Sequence, residues 1–229
     1  MRNKESPEFN VAWKIKDVIF IFIACLIFIF VISLLFLKVI KRNPFVGAFF
    51  LSIFVIILVN VFLHYRNEKW SRLGFVKKNS GKLIIQGIAI GAILFFITKL
   101  IFRPFSYIEL FASELTPLKI FKCFLILVTF KGFVDIVLIP FIEEILFRGL
   151  FFQALLNKFN RLASIIIVSS FDSLTHVSSF QNYNWLLIRF IYFVCITWLF
   201  DRYRNLFMCI SVHSTLNYLV WVIQIIGNN

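Results

Sequence analysis

Residues 18–37 read VIFIFIACLIFIFVISLLFL, twenty consecutive positions without a charged side chain. A helix of about 20 apolar residues matches the ~30 Å hydrocarbon core of a bilayer, because each residue adds about 1.5 Å. The run exceeds the roughly 7–15 residues of a signal-peptide core, and the segment before it is polar. We therefore expect residues 18–37 to remain in the membrane as the first helix.

Seven further apolar runs follow at short intervals, and hydrophobic residues make up 61% of the 229 positions. Soluble domains average about 45–50%, so one soluble core could not bury this surface. The sequence predicts an all-α, polytopic transmembrane helical bundle of about eight helices, in a single membrane-embedded domain spanning 1–229. The later helices are expected at 44–63, 83–101, 121–141, 142–156 (shorter than the others), 163–177, 185–200 and 206–226.

The net charge of +13 comes from Lys and Arg residues that lie mostly between the apolar runs. There they suit anionic lipid headgroups, so the expected partner is the lipid bilayer, and nucleic acid is not expected. Basic residues are denser in the N-terminal tail and in the second loop than in the first. The predicted location is thus the cell membrane, multi-pass, with a cytoplasmic N-terminus. The four cysteines form no C-x-x-C pair, which disfavours a cysteine metal site.

Ionisable residues inside the apolar runs are concentrated after residue 130, in a core of about 131–226. A charged group at a helix centre costs at least ~2.5–3.5 kcal/mol, so such residues normally face a bundle interior and have a function. The sharpest cluster is Glu143-Glu144-Ile-Leu-Phe-Arg148. Glu144 and Arg148 are spaced i,i+4 and can form a structural ion pair, whereas Glu143 points about 100° away. Pro140 suggests that the helix begins shortly before the two acids.

Two histidines complete the candidate site. His176 follows Asp172 by four residues, and His213 precedes Asn217 by four. Peptide hydrolysis needs a base for water, a group that orients the water, and donors for the developing oxyanion. Glu143 could be the base and His176 the orienting group, while His213 and Asn217 could be the donors. Buried ion pairs and interhelical hydrogen bonds are the structural alternatives for the same residues.

A metal site is possible with the same side chains. Glu143, His176 and His213 would make an adequate zinc set with an open fourth position. The sequence lacks H-E-x-x-H, however, and Asn217 is a poor zinc ligand. We favour a metal-free site, with zinc as the alternative cofactor.

These residues resemble the CAAX-protease and bacteriocin-processing (Abi) family of intramembrane endopeptidases. That family shows E-E-x-x-x-R, F-x-x-x-H and H-x-x-x-N in this order. The first and third motifs are intact, from Glu143 to Arg148 and from His213 to Asn217, whereas Asp172 replaces the Phe of the second. The resemblance implies that Glu143 and His176 activate water and that His213 and Asn217 form the oxyanion hole.

The favoured function is therefore an intramembrane endopeptidase acting on a small peptide or membrane protein substrate. A non-catalytic bacteriocin self-immunity or membrane interaction protein on the same fold is the main alternative, and it would depend on exposed loops such as 103–119. A transporter or channel is the third, because Lys131, Asp135 and Arg189 could line a pathway. No inverted repeat supports that third hypothesis.

Overall fold

The structure is a computed structural model that describes residues 11–102, 116–176 and 183–227. These ranges contain helices and no strands, which confirms the all-α prediction. Most of the 103–119 loop and the first ten residues lie outside the described ranges. The main helices are α1 (Ile15–Leu35), α2 (Pro44–Tyr65), α3 (Ser80–Phe102), α4 (Pro117–Leu125), α5 (Phe130–Leu156), α6 (Arg161–Thr175), α7 (Tyr183–Tyr203) and α8 (Leu206–Gly227).

Local sequence accounts for several helix starts. Asn43 accepts a hydrogen bond from the backbone N–H of Phe45, and Pro44 occupies the first turn of α2. Thr116 before α4 and Asn160 before α6 cap their helices in the same way. Each polar side chain satisfies an N–H that has no partner within its helix.

Among the described residues, four helices are long and apolar enough to cross a membrane, namely α1, α2, α3 and α8. The pair α4–α5 would be a fifth span, bent by 65°. Only 17% of the most apolar window of α1 is buried, so most of its surface is suited to lipid. The chain is thus a multi-pass membrane protein. Four or five of its described helices are long and apolar enough for a full span, fewer than the eight apolar runs of the sequence. At 15 residues, α6 covers only about 22 Å.

The predicted helices at 121–141 and 142–156 have the wrong boundaries. The helix is interrupted at Thr129. The hydroxyl of Thr129 caps the next helix by accepting a hydrogen bond from the backbone N–H of Gly132 at 3.0 Å. From Phe130 to Leu156 the helix is then continuous. Pro140 therefore lies inside a helix and not near its start. Two π-helical segments, Phe133–Leu138 and Ile145–Phe152, flank it, and wider turns of this kind are a usual place for local adjustment around a site.

Two glycines allow a close approach between α3 and α8. A Cβ on Gly87 would lie 2.7 Å from the carbonyl oxygen of Met208, and one on Gly91 would lie 2.8 Å from that of Val212. The G-x-x-x-G spacing thus lets α3 approach the backbone of α8, as in many membrane helix pairs. This contact fixes the helix turn that carries His213.

The N-terminal segment and the second loop lie on one side of the bundle. Asp17 at the start of α1 pairs with Arg66 at the end of α2, 2.7 Å apart. Nearby, the indole N–H of the fully buried Trp13 donates to the carbonyl of Leu150 in α5. These contacts are compatible with the predicted placement of both segments on the same face of the membrane.

Candidate active site

Glu143 lies between the two motif histidines. Its Oε1 is 3.7 Å from Nε2 of His176, and its Oε2 is 3.5 Å from Nε2 of His213. The three side chains come from α5, from the C-terminal cap of α6 and from α8. About a fifth of the Glu143 and His176 side chains is exposed, against 4% for His213. The site therefore combines a partly accessible acid with one accessible and one buried imidazole.

Glu144 takes a different position from its neighbour. Its Oε1 accepts from the guanidinium of Arg148 at 3.1 Å and from Nδ1 of His213 at 2.9 Å. Both Glu144 and Arg148 are fully buried. The expected ion pair is thus present, and it also holds the imidazole of His213 in α8.

The contacts around Arg148 connect four helices. Besides Glu144 in its own helix, it donates to Asp172 in α6 and to Thr197 Oγ1 and the Phe193 carbonyl in α7. Asp172 is fully buried as well. The Glu144–His213 bond adds α8. This arrangement, which we call the Arg148 network, satisfies a buried guanidinium from several directions, as a charge inside a membrane bundle requires.

The structure explains the departure at position 172. Where the similar family has Phe, Asp172 supplies a second carboxylate to Arg148. The aromatic packing comes instead from Phe193, whose ring stacks on His176 at 5.6 Å and meets His213 edge-on at 5.5 Å. Sequence reasoning missed both roles. For Asp172 a signal existed, because a lone acid in an apolar run needs a buried cation and the first motif supplies Arg148.

Asn217 does not make a described contact with the other three predicted site residues. Its side-chain N–H donates to the carbonyl of Asp135 at 2.8 Å, in the first π-helical segment of α5. Asp135 precedes Glu143 by eight residues, about 12 Å along the helix. Asn217 therefore lies one turn of α8 beyond His213 and contributes to the contact between α5 and α8. One of its two amide N–H groups is already used there.

The spacing of the donor atoms is also compatible with a metal. Ligand atoms about 2.1 Å from a tetrahedral zinc lie roughly 3.4 Å from one another. In the set expected from the sequence, Nε2 of His176 is 3.7 Å from Oε1 of Glu143, and Nε2 of His213 is 3.5 Å from the other oxygen, Oε2. A second possible set consists of Glu143, Asp172 and His176, whose donor atoms lie within 4.8 Å of one another. Asp172 in this set already pairs with Arg148, and His213, the third ligand expected from the sequence, is not part of it.

Fold and site together define a multi-pass helical membrane protein with an acid–histidine centre. Residues 122–219 match the family model of the type II CAAX prenyl endopeptidase Rce1-like proteins. The match covers a little under half of the chain and includes all three motifs. It confirms the resemblance to the CAAX-protease family. Comparisons with curated proteins and with solved structures gave no significant match.

Proposed function

We propose that the protein is an intramembrane endopeptidase that cleaves a small peptide or a membrane protein with an activated water molecule. The supporting observation is the position of the Glu143 carboxylate, 3.7 Å from His176 and 3.5 Å from His213. A carboxylate that lies between two imidazoles and is partly exposed suits the general base of a hydrolytic reaction. The family match at residues 122–219 points to the same class of reaction.

In the proposed reaction, Glu143 accepts a proton from water, and the hydroxide adds to the carbonyl carbon of the scissile peptide bond. His176, on the accessible side, orients this water. The tetrahedral intermediate then collapses, the C–N bond breaks, and the proton held by Glu143 passes to the leaving amine. Water is consumed, and the products are a new carboxyl and a new amino terminus.

The Arg148 network positions this site from behind. Arg148 fixes Glu144, and Glu144 accepts from Nδ1 of His213. That hydrogen bond sets the orientation of the imidazole and directs its Nε2 toward Glu143. Glu144 is therefore proposed as a positioning residue and Glu143 as the base.

The proposed reaction needs no metal. If zinc were bound, Glu143 and His176 would hold it together with His213 or Asp172, and it would generate hydroxide from a bound water at neutral pH. Full activity after extensive treatment with a chelator supports the metal-free reaction. Loss of activity that zinc alone restores would assign the metal to these residues.

The test is Glu143→Gln, with Glu68→Gln as a matched control in the second loop. Both proteins are reconstituted in lipid vesicles with two quenched fluorescent peptides, one ending in a farnesylated CAAX sequence and one apolar and unmodified. Glutamine keeps the shape of Glu143 but cannot accept the proton, so we expect a loss of about 10²–10⁴ in rate. Glu68→Gln should cleave like the wild type. Cleavage in ¹⁸O-labelled water should place one label in the new carboxyl group.

His176→Ala should also reduce cleavage, and its effect should not add to that of Glu143→Gln, because both groups act on one step. Two results together would refute the enzyme hypothesis: the wild type cleaves neither peptide in vesicles, and Glu143→Gln keeps its full biological effect in cells. That outcome would favour the bacteriocin self-immunity or membrane interaction protein. In that case, substitutions in the 103–119 loop should abolish the effect.

A further inference from the structure

Arg189 is a cation beside the site for which the proposed reaction has so far no role. It lies in α7, four residues before Phe193, and residues spaced i,i+4 share a helix face. The ring of Phe193 contacts both His176 and His213. Arg189 is therefore on the face of α7 that covers the site.

The electrostatic surroundings of Arg189 agree with this position. Its charge interacts with the carboxylates of Glu143, Asp172 and Asp135, and with His176. In the described part of the chain it forms no hydrogen bond and no ion pair. Arg189 is half-buried, so part of the residue remains accessible. It differs in this from Arg148, whose guanidinium is fully buried and satisfied.

The oxyanion donors expected from the sequence are partly engaged. Glu144 is paired with Arg148 and, as a carboxylate, only accepts hydrogen bonds, so Nδ1 of His213 must be the donor in their contact. In the neutral ring Nε2 is then an acceptor, and in the protonated ring it faces the Glu143 carboxylate at 3.5 Å, so in both forms Nε2 is directed at Glu143. Asn217 uses one amide N–H on the carbonyl of Asp135. Beside the remaining amide N–H of Asn217, a further, charged donor would stabilise the negative charge that such a site generates on a carbonyl oxygen.

We infer that Arg189 donates to the carbonyl oxygen of the scissile peptide bond and stabilises the oxyanion that forms on it. The inference rests on the proposed peptidase function and adds a catalytic residue to it. Arginine suits this role because its planar guanidinium carries a permanent charge and several N–H donors. Glu143 would then act on the water and Arg189 on the carbonyl oxygen, from α5 and α7 respectively.

The test compares Arg189→Gln and Arg189→Lys with Arg202→Gln, an exposed arginine in the last turn of the same helix. All three are measured in vesicles with whichever of the two fluorescent peptides the wild type cleaves. Removal of an oxyanion donor typically lowers kcat by about 10²–10³. We expect this loss for Arg189→Gln with KM little changed, a smaller loss for Arg189→Lys, and none for Arg202→Gln. Added guanidinium should partly restore Arg189→Ala and should not restore Glu143→Gln.

The possible failures are distinguishable. If the wild type cleaves and Glu143→Gln does not, but Arg189→Gln keeps the wild-type kcat, only the role of Arg189 is refuted. A rise in KM at constant kcat would also refute it, since this indicates ground-state binding. If Arg189→Gln does not fold, Arg189→Lys decides: wild-type kcat in that variant shows that Arg189 is structural. A wild type without peptidase activity overturns both proposals.

Discussion

The Arg148 network predicts an unequal response to the loss of its members. Arg148 is one positive charge that faces two fully buried carboxylates, Glu144 and Asp172. Arg148→Met leaves Asp172 without its counter-charge and Glu144 with only its hydrogen bond from His213, whereas Asp172→Asn leaves Arg148 paired with Glu144. The methionine variant should therefore be much less stable than the asparagine variant, although methionine is the more apolar residue.

The magnitudes follow from these contacts. Removal of one partner of a buried ion pair costs about 3–5 kcal/mol. Asp172→Asn loses one hydrogen bond between charged groups, which is worth about 1.5–3 kcal/mol. In the double variant Arg148→Met/Asp172→Asn, Glu144 keeps His213 as a partner at 2.9 Å. The second substitution should thus partly offset the first, with a coupling of roughly 1–3 kcal/mol.

The four free cysteines provide the assay. Cys25, Cys123 and Cys209 are buried, so a thiol-reactive fluorophore reports thermal unfolding in detergent. At roughly 2–4 °C per kcal/mol for a chain of this length, Arg148→Met should lower Tm by about 10 °C. The control is Arg66→Met, whose pair with Asp17 is partly exposed and is expected to contribute within about 1 kcal/mol. Equal Tm values for Arg148→Met and Asp172→Asn, or strict additivity in the double variant, would refute the reasoning.

Two further predictions concern packing around the site. Gly91→Ala should destabilise the protein by about 1–3 kcal/mol and reduce kcat, because the added methyl would lie 2.8 Å from the carbonyl of Val212, next to His213. The control is Gly81→Ala, where a Cβ meets nothing within 4 Å. It should change neither the Tm in the thiol assay nor the rate of cleavage. Phe193→Leu should lower kcat about tenfold by loosening both imidazoles, whereas Phe152→Leu, which alters a buried aromatic pair with Phe200, should lower Tm alone. A wild-type kcat in Phe193→Leu would exclude a positioning role for this ring.

The sequence by itself determined the class of the protein and the acid–histidine composition of its candidate site. A charge-free run such as 18–37 has one stable solution, a helix in lipid, because its backbone can satisfy its hydrogen bonds only internally there. The contact between Glu144 and Arg148 likewise follows from their i,i+4 spacing on a helix. These are local properties, and the structure contains both features.

Only the tertiary structure decided where the helices break and which buried charge meets which. Thr129 ends one helix and caps the next inside the segment 121–141, which the hydropathy pattern predicted to be one helix. Asp172 and Arg148 are 24 residues apart, and Asn217 is 82 residues from the carbonyl that it contacts. Such partners depend on how closely whole helices approach, which Gly87 and Gly91 permit at the α3–α8 contact. Burial favours a hydrogen bond or a counter-charge for each polar group, and the packing of the helices decides which one lies within reach.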